Sequence, residues 1–171
     1  MARIDVPDGN GLERERLLMM QPAVAIGMGA LAQAVYEQTS LPPREREVAR
    51  LRVAVANGCP VCLNTRSPKA AAAGLDEAAV QSVVACDTGT PPPIAGLTER
   101  ERLAGEFADR FATDHHSIDD AFMAEVRAHF SDVEVIELAA LCEMTVGNGR
   151  FMTVLGIPAD DEGHYLLPEG D

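Results

Sequence analysis

Two cysteines two residues apart, Cys59-Pro60-Val61-Cys62, are the part of the chain whose residue types and spacing best fit chemistry. Asn57-Gly58 before them is a helix stop, and Pro60 suits the first position of a new helix. Cys59 therefore falls at the N-cap and Cys62 at the third helical position. Both sulfurs are expected to face free backbone amides at the positive end of a helix, which favour thiolate over thiol, the form that attacks peroxides and disulfides. Two intervening residues also let a bridge close within the first turn, so the pair reads as a reversible dithiol/disulfide. The same spacing serves inert core thiols and half of a zinc site. A structural zinc wants a second close Cys/His pair, whereas Cys86 and Cys142 stand alone with no histidine three to five residues away. Those two are expected to be buried small hydrophobes, and no metal or cofactor is expected.

Glu47 and Arg66 are the charged candidates around the pair. Glu47 lies eleven residues before Gly58 and Arg66 eight after it. In an antiparallel hairpin rising about 1.5 Å per residue, the two sit at similar heights, about 12 to 17 Å from the turn. Arg66 is also four residues after Cys62, one helical turn on. A triangle of Cys62, Arg66 and Glu47 is the expected site. Against it, Arg44-Glu45-Arg46-Glu47 is a charge run whose usual explanation is a solvated helix face. His115-His116 sit in a loop, where histidines are usually surface residues; His129 and His164 offer still less.

The elements that must position these groups read as helices. Capping and periodicity predict them at residues 12–20, 22–38, 43–56, 60–73, 77–85 (capped by Asp76), 99–113 (a capping box from Thr98), 117–130 (capped by Ser117), 132–146 and 150–155. Residues 87–96, with Pro91-Pro92-Pro93, cannot continue a helix and form a linker between two halves. No β-branched run bounded by turn signals competes, so the expected fold is all-α, a helical bundle carrying its site on a helical hairpin. Glu47 to Asn57-Gly58 is echoed, offset by one residue, in Glu137 to Asn148-Gly149, which suggests an internal pseudo-repeat of two helical hairpins.

Composition narrows the function classes. At 171 residues the chain fits a single domain, 1–171 with a core of about 20–157, built from aliphatic residues because only 4% are aromatic. A formal charge of -13 disfavours nucleic acid and anionic membranes as partners. The start lacks an apolar signal core and residues 22–35 are too short for a span, so the expectation is a cytoplasmic protein. The methionines read as core or interface filler. Apolar surface on helix 22–38 and on the second-half helices exceeds what one small bundle buries, which points to a homo-oligomer.

Leu41-Pro42-Pro43 through Glu47, Leu51-Arg52-Val53-Ala54, Asn57-Gly58-Cys59 and Cys62 together resemble the carboxymuconolactone decarboxylase superfamily in its alkylhydroperoxidase D (AhpD)-like branch. The likeness is specific over residues 41–66 and diffuse from about 20 to 157. It implies an AhpD-like helical bundle, trimers or hexamers, and reduction of hydroperoxides at the expense of a thiol or dithiol reductant. It also implies Cys62 as the sulfur oxidised to sulfenic acid, Cys59 as the resolving sulfur and Glu47 as proton-relay acid/base. The pattern's histidine four residues after the second cysteine is Arg66 here. An arginine can stabilise a thiolate and hold Glu47 ionised but cannot carry protons, which implies slower peroxide turnover or another redox substrate. Two other functions stay open: a cofactor-free lyase of the carboxymuconolactone decarboxylase type, and a non-catalytic redox-responsive oligomer.

Overall fold

Prolines and capping side chains mark the helix starts. The computed structural model describes residues 2–89 and 96–159 and the backbone of residues 165–166. Its helices are α1 (Glu13–Met19), α2 (Pro22–Glu37), α3 (Pro43–Asn57), α4 (Pro60–Asn64), α5 (Pro68–Ala72), α6 (Glu77–Ala85), α7 (Glu99–Thr113), α8 (Asp120–His129) and α9 (Asp132–Leu155). Proline opens α2 to α5, where its missing N–H costs nothing. Side chains of Asp76, Thr98, Asp119 and Ser131 cap α6 to α9. The two-residue strands β1 (Thr65–Arg66) and β2 (Tyr165–Leu166) pair in parallel. The fold is all-α, as expected.

Three boundaries differ from the sequence reading. The helix expected at 60–73 breaks into α4 and α5, because the residue before Pro68 is driven out of the α region; Ser67 instead caps α5 through the Ala70 N–H. Asp119, not Ser117, starts α8, since the Ser117 hydroxyl turns back to the Asp114 carbonyl in a 3-10 turn, His115–Ser117. Asn148-Gly149 does not stop a helix: α9 runs on to Leu155, so the Arg150 segment is its last turns. Gly149 is needed there because a Cβ would collide with Asn57 from the end of α3. The echo between the two halves therefore ends differently, in a left-handed Gly58 for α3 and in continuous helix for α9.

α3 is the central helix, lying against α7 and α9. Ala49 and Val53 join Leu103, Phe107, Leu138 and Leu141 in one core cluster, while Val48 and Leu51 join Ala70, Leu75, Val80 and Val83 in another. Helices from both sides of the 87–96 stretch thus share a core; residues 90–95 of that stretch lie outside the described residues. Every residue of α3 from Glu45 to Ala54 is buried, so the charge run is not a solvated face. Its charges are paired instead, Arg44 with Glu101, Glu45 with Arg100, Glu47 with Arg50 and Arg52 with Asp109. Among the described residues no single helix is long and apolar enough to cross a membrane; α1 and α2 have the length only together, and they bend by 115° where they meet.

Candidate active site

The turn that ends α3 delivers the first cysteine. Gly58 adopts φ 56°, its N–H donates to the Val55 carbonyl and the next N–H, of Cys59, donates to the Ala54 carbonyl. Cys59 then caps α4, its Sγ accepting the Cys62 N–H at 3.3 Å. The two sulfurs lie 2.8 Å apart as free thiols. They are not equally accessible. Cys59 is 0% exposed, packed in a cluster with Leu17, Val61 and Ile157, whereas Cys62 is half-buried and lines a cavity. The N-cap side chain is buried against Leu17 of α1 and Ile157, while the third-position side chain touches it and also reaches the cavity.

The electrostatics divide the pair the same way. The hydrogen bond from the Cys62 thiol, joined by the Cys62 N–H and the Thr153 hydroxyl, lowers the Cys59 thiol to about 7. Donating that hydrogen bond, together with burial, pushes the Cys62 thiol above its ordinary range. One proton is shared between two sulfurs, and the negative charge rests by preference on the sealed one. α4 is a single turn, so local N–H groups rather than a long dipole supply this stabilisation.

The expected triangle does not form. With Thr65 and Arg66 extended rather than helical, Arg66 is not one turn above Cys62; its guanidinium pairs with Glu77 at 2.9 Å and donates to the Leu63 carbonyl at 2.7 Å. Glu47, 2% exposed, meets Arg50 instead, each oxygen taking one N–H at 2.7 Å. The remaining Arg50 N–H groups donate to the carbonyls of Cys62 at 2.7 Å and Thr65 at 2.9 Å, and Glu47 also accepts the Ser67 N–H at 3.3 Å. This cluster ties the backbone after Cys62 to α3. Arg50 was missed in the sequence although its position, one turn after Glu47 on the same helix, was the available signal.

Cys62 opens into a cavity of about 340 Å³ between α1, α2, α3, α4 and α9. Leu18, Met28, Met144 and Met152 supply apolar walls, and Arg50, Tyr36 and Arg14 are polar groups at its lining. Burial pushes the Tyr36 phenol above its ordinary value. A larger depression of about 780 Å³, between α8 and the start of α9, is lined by no cysteine. The rings of His115 and His116 are exposed in the 3-10 turn, 4.1 Å apart, and neither lines the cysteine cavity; His129 is also exposed, and His164 lies outside the described residues. Cys142 is fully buried, which pushes its thiol up, whereas Cys86 is half-buried at the end of α6 and donates to the Ser82 carbonyl.

The chain and its fold have counterparts among known proteins. The model of the carboxymuconolactone decarboxylase family matches residues 22–90, which hold α2 to α6 and both site cysteines. The Escherichia coli (strain K12) protein YnjA is 27% identical over 133 residues, 78% of this chain and 69% of that one. The fold is shared with a peroxidase-related protein with an alkylhydroperoxidase AhpD core from Ralstonia eutropha JMP134, at TM-score 0.71 and 20% identity over 85% of this chain and 75% of that one. It is shared equally with the debrominase Bmp8, at TM-score 0.72 and 18% identity over 85% and 76% of the two chains.

Proposed function

We propose that the chain, whose residues 22–90 match the carboxymuconolactone decarboxylase family and whose fold is that of AhpD-like proteins, is a thiol-dependent peroxidase that reduces organic hydroperoxides through Cys62 and Cys59. The observation that carries this reading is one cavity-lining sulfur held 2.8 Å from a second, sealed sulfur. In the proposed cycle Cys62 passes its proton to Cys59 and attacks the terminal peroxide oxygen as a thiolate. The S–O bond forms, the O–O bond breaks, and the alkoxide leaves as alcohol after taking up a proton. Cys59 then attacks the Cys62 sulfenic acid, its proton leaving with the expelled oxygen as water, and an S–S bond of about 2.05 Å closes. An external thiol or dithiol reduces the bridge and is itself oxidised.

Arg50 stabilises the charge at Cys62, and Glu47 holds Arg50 in place. A lyase acting on a lactone-type acid has less support, because abstracting a proton at neutral pH wants a carboxylate or histidine base at the cavity. Among the described residues no carboxylate or histidine lines it. The shared fold of the debrominase Bmp8 is a reminder that architecture alone does not choose the reaction. The proposal includes a homo-oligomer, trimer or hexamer, supported by exposed apolar residues on α1 and α2 such as Met19, Val24 and Ile26.

The test is direct. Purified protein with a dithiol should consume an organic hydroperoxide, and Cys62→Ser should abolish consumption. Equal rates for variant and wild type would refute the proposal.

A further inference from the structure

The proposed peroxidase step needs a proton for the departing alkoxide, and the groups expected to bring one are not placed to do so. Position 66 is an arginine turned toward Glu77, and both Glu47 oxygens are held by Arg50. Cys59 is sealed behind Cys62 on the side away from the cavity. A leaving oxygen inside the cavity must therefore find its proton on the cavity wall.

We propose that the Tyr36 phenol is the general acid that protonates the leaving alkoxide when Cys62 attacks a hydroperoxide; this rests on the peroxidase reading above. Tyr36 lines the same cavity as Cys62 and Arg50. Its backbone is fixed from outside the cavity, the carbonyl accepting Arg46 Nη1 at 2.8 Å while the Arg46 guanidinium lies 5.8 Å from the ring centre. These contacts hold the residue at the cavity wall. Tyr36 is close enough to Arg50, Glu47 and Cys62 for their charges to act on the phenol. Burial keeps it protonated at neutral pH, so it enters the cycle loaded, and the Arg50 cation favours the phenolate it becomes.

The proton count closes. Cys62 thiolate, hydroperoxide and Tyr36 phenol give Cys62 sulfenic acid, alcohol and Tyr36 phenolate. The proton held by Cys59 then passes across the 2.8 Å between the sulfurs to the oxygen leaving Cys62 as the S–S bond closes, giving water, and the Tyr36 phenolate takes a proton from water entering the cavity, which leaves hydroxide. Two thiols sharing one proton, plus hydroperoxide, become disulfide, alcohol and hydroxide. Tyr36 is regenerated, and the external thiol or dithiol is the only reductant required.

Tyr36→Phe keeps the ring and removes the donor. Stopped-flow rates of Cys62 oxidation should be measured with an alkyl hydroperoxide and, separately, with an aromatic disulfide whose leaving thiolate needs no proton. The hydroperoxide rate should fall about 100-fold, the scale of general acid catalysis, with the disulfide rate the same as wild type. Across hydroperoxides and peroxyacids of graded leaving-group basicity, the variant should also show the steeper dependence. An unchanged hydroperoxide rate, or an equal fall in both reactions, would overturn the role of Tyr36. Wild type that reacts with the disulfide but with no hydroperoxide would overturn the peroxidase reading, and the phenol's role with it.

Discussion

Two arginines two residues apart on α3 solve the same problem on opposite sides of the helix. Arg50 binds Glu47 through two N–H groups and spends the others on the carbonyls of Cys62 and Thr65, around the end of α4. Arg52 binds Asp109 and spends the others on the carbonyls of Val83, Cys86 and Asp87, at the end of α6. Both side chains are 3% exposed, so neither charge is supported by water. In each case a buried carboxylate fixes a guanidinium, and its spare donors bind carbonyls at the end of a short helix. What differs is the far side. Beyond Arg50 lies the cavity with Cys62, whereas Arg52 is enclosed by main chain. The same device acts as a staple at one end and as part of a site at the other.

The largest effect should come from breaking the staple. Arg52→Met leaves Asp109 buried without its partner, and loss of one member of such a pair costs about 3–5 kcal/mol. Burial already raises the Asp109 carboxyl, and removing the cation raises it further. A raised acid binds its proton more tightly folded than unfolded, so the penalty grows as pH rises above the unfolded value of about 3.9. Urea unfolding should show the variant weakened more at pH 8 than at pH 5. Cys62 in the molecules that remain folded should react at the wild-type rate; a changed rate would erase the distinction between the two arginines.

Disturbing the other arginine should move chemistry as well as stability. Glu47→Gln keeps the shape but removes the charge that fixes Arg50, with a stability loss of about 1.5–3 kcal/mol. Arg50 and the segment after Cys62 then lose their common anchor, and hydroperoxide turnover should fall about tenfold or more through misplacement of the attacking sulfur. Arg66→Ala is the contrast. Its partner Glu77 is 48% exposed, and such pairs contribute at most about 1 kcal/mol. Turnover at the wild-type level in Arg66→Ala, beside a slow Glu47→Gln, would place the working guanidinium at Arg50; the reverse order would restore Arg66.

That exchange of one arginine for the other shows where sequence reasoning reaches its limit. Caps, prolines and the Gly58 stop are local signals, and they located α2, α6, α7 and the Cys59 N-cap to within a residue. The partner of Glu47 depended on whether residues 60–73 formed one helix. Ser67-Pro68, in the interior of that stretch, carries the signal for a break, but the capping and periodicity on either side of it suit a continuous helix. Burial of the charged face of α3 was illegible for another reason: it depends on Glu101, Arg100 and Asp109 arriving from α7, more than fifty residues away. The unequal exposure of the two sulfurs is likewise tertiary, set by Leu17 and Ile157 from opposite ends of the chain.

The smallest predicted change, a shift in a pH profile, reports most directly on how the sulfurs divide their work. The Cys59 thiol is lowered to about 7 by the hydrogen bond from Cys62, while the same bond pushes Cys62 upward. Loss of the first proton, as pH rises through about 7, creates the only thiolate the pair carries across the neutral range. Exchange of the remaining proton across 2.8 Å places that charge transiently on cavity-lining Cys62. Iodoacetamide labelling of Cys62 should therefore rise with pH, half-maximal near 7 and levelling off about one to two pH units above it. Cys59→Ser removes the sulfur that accepts the proton, so the profile should move up toward the free-thiol value of about 8.5. An unshifted profile in Cys59→Ser would mean that Cys62 ionises independently of its neighbour, and that Arg50 alone activates it.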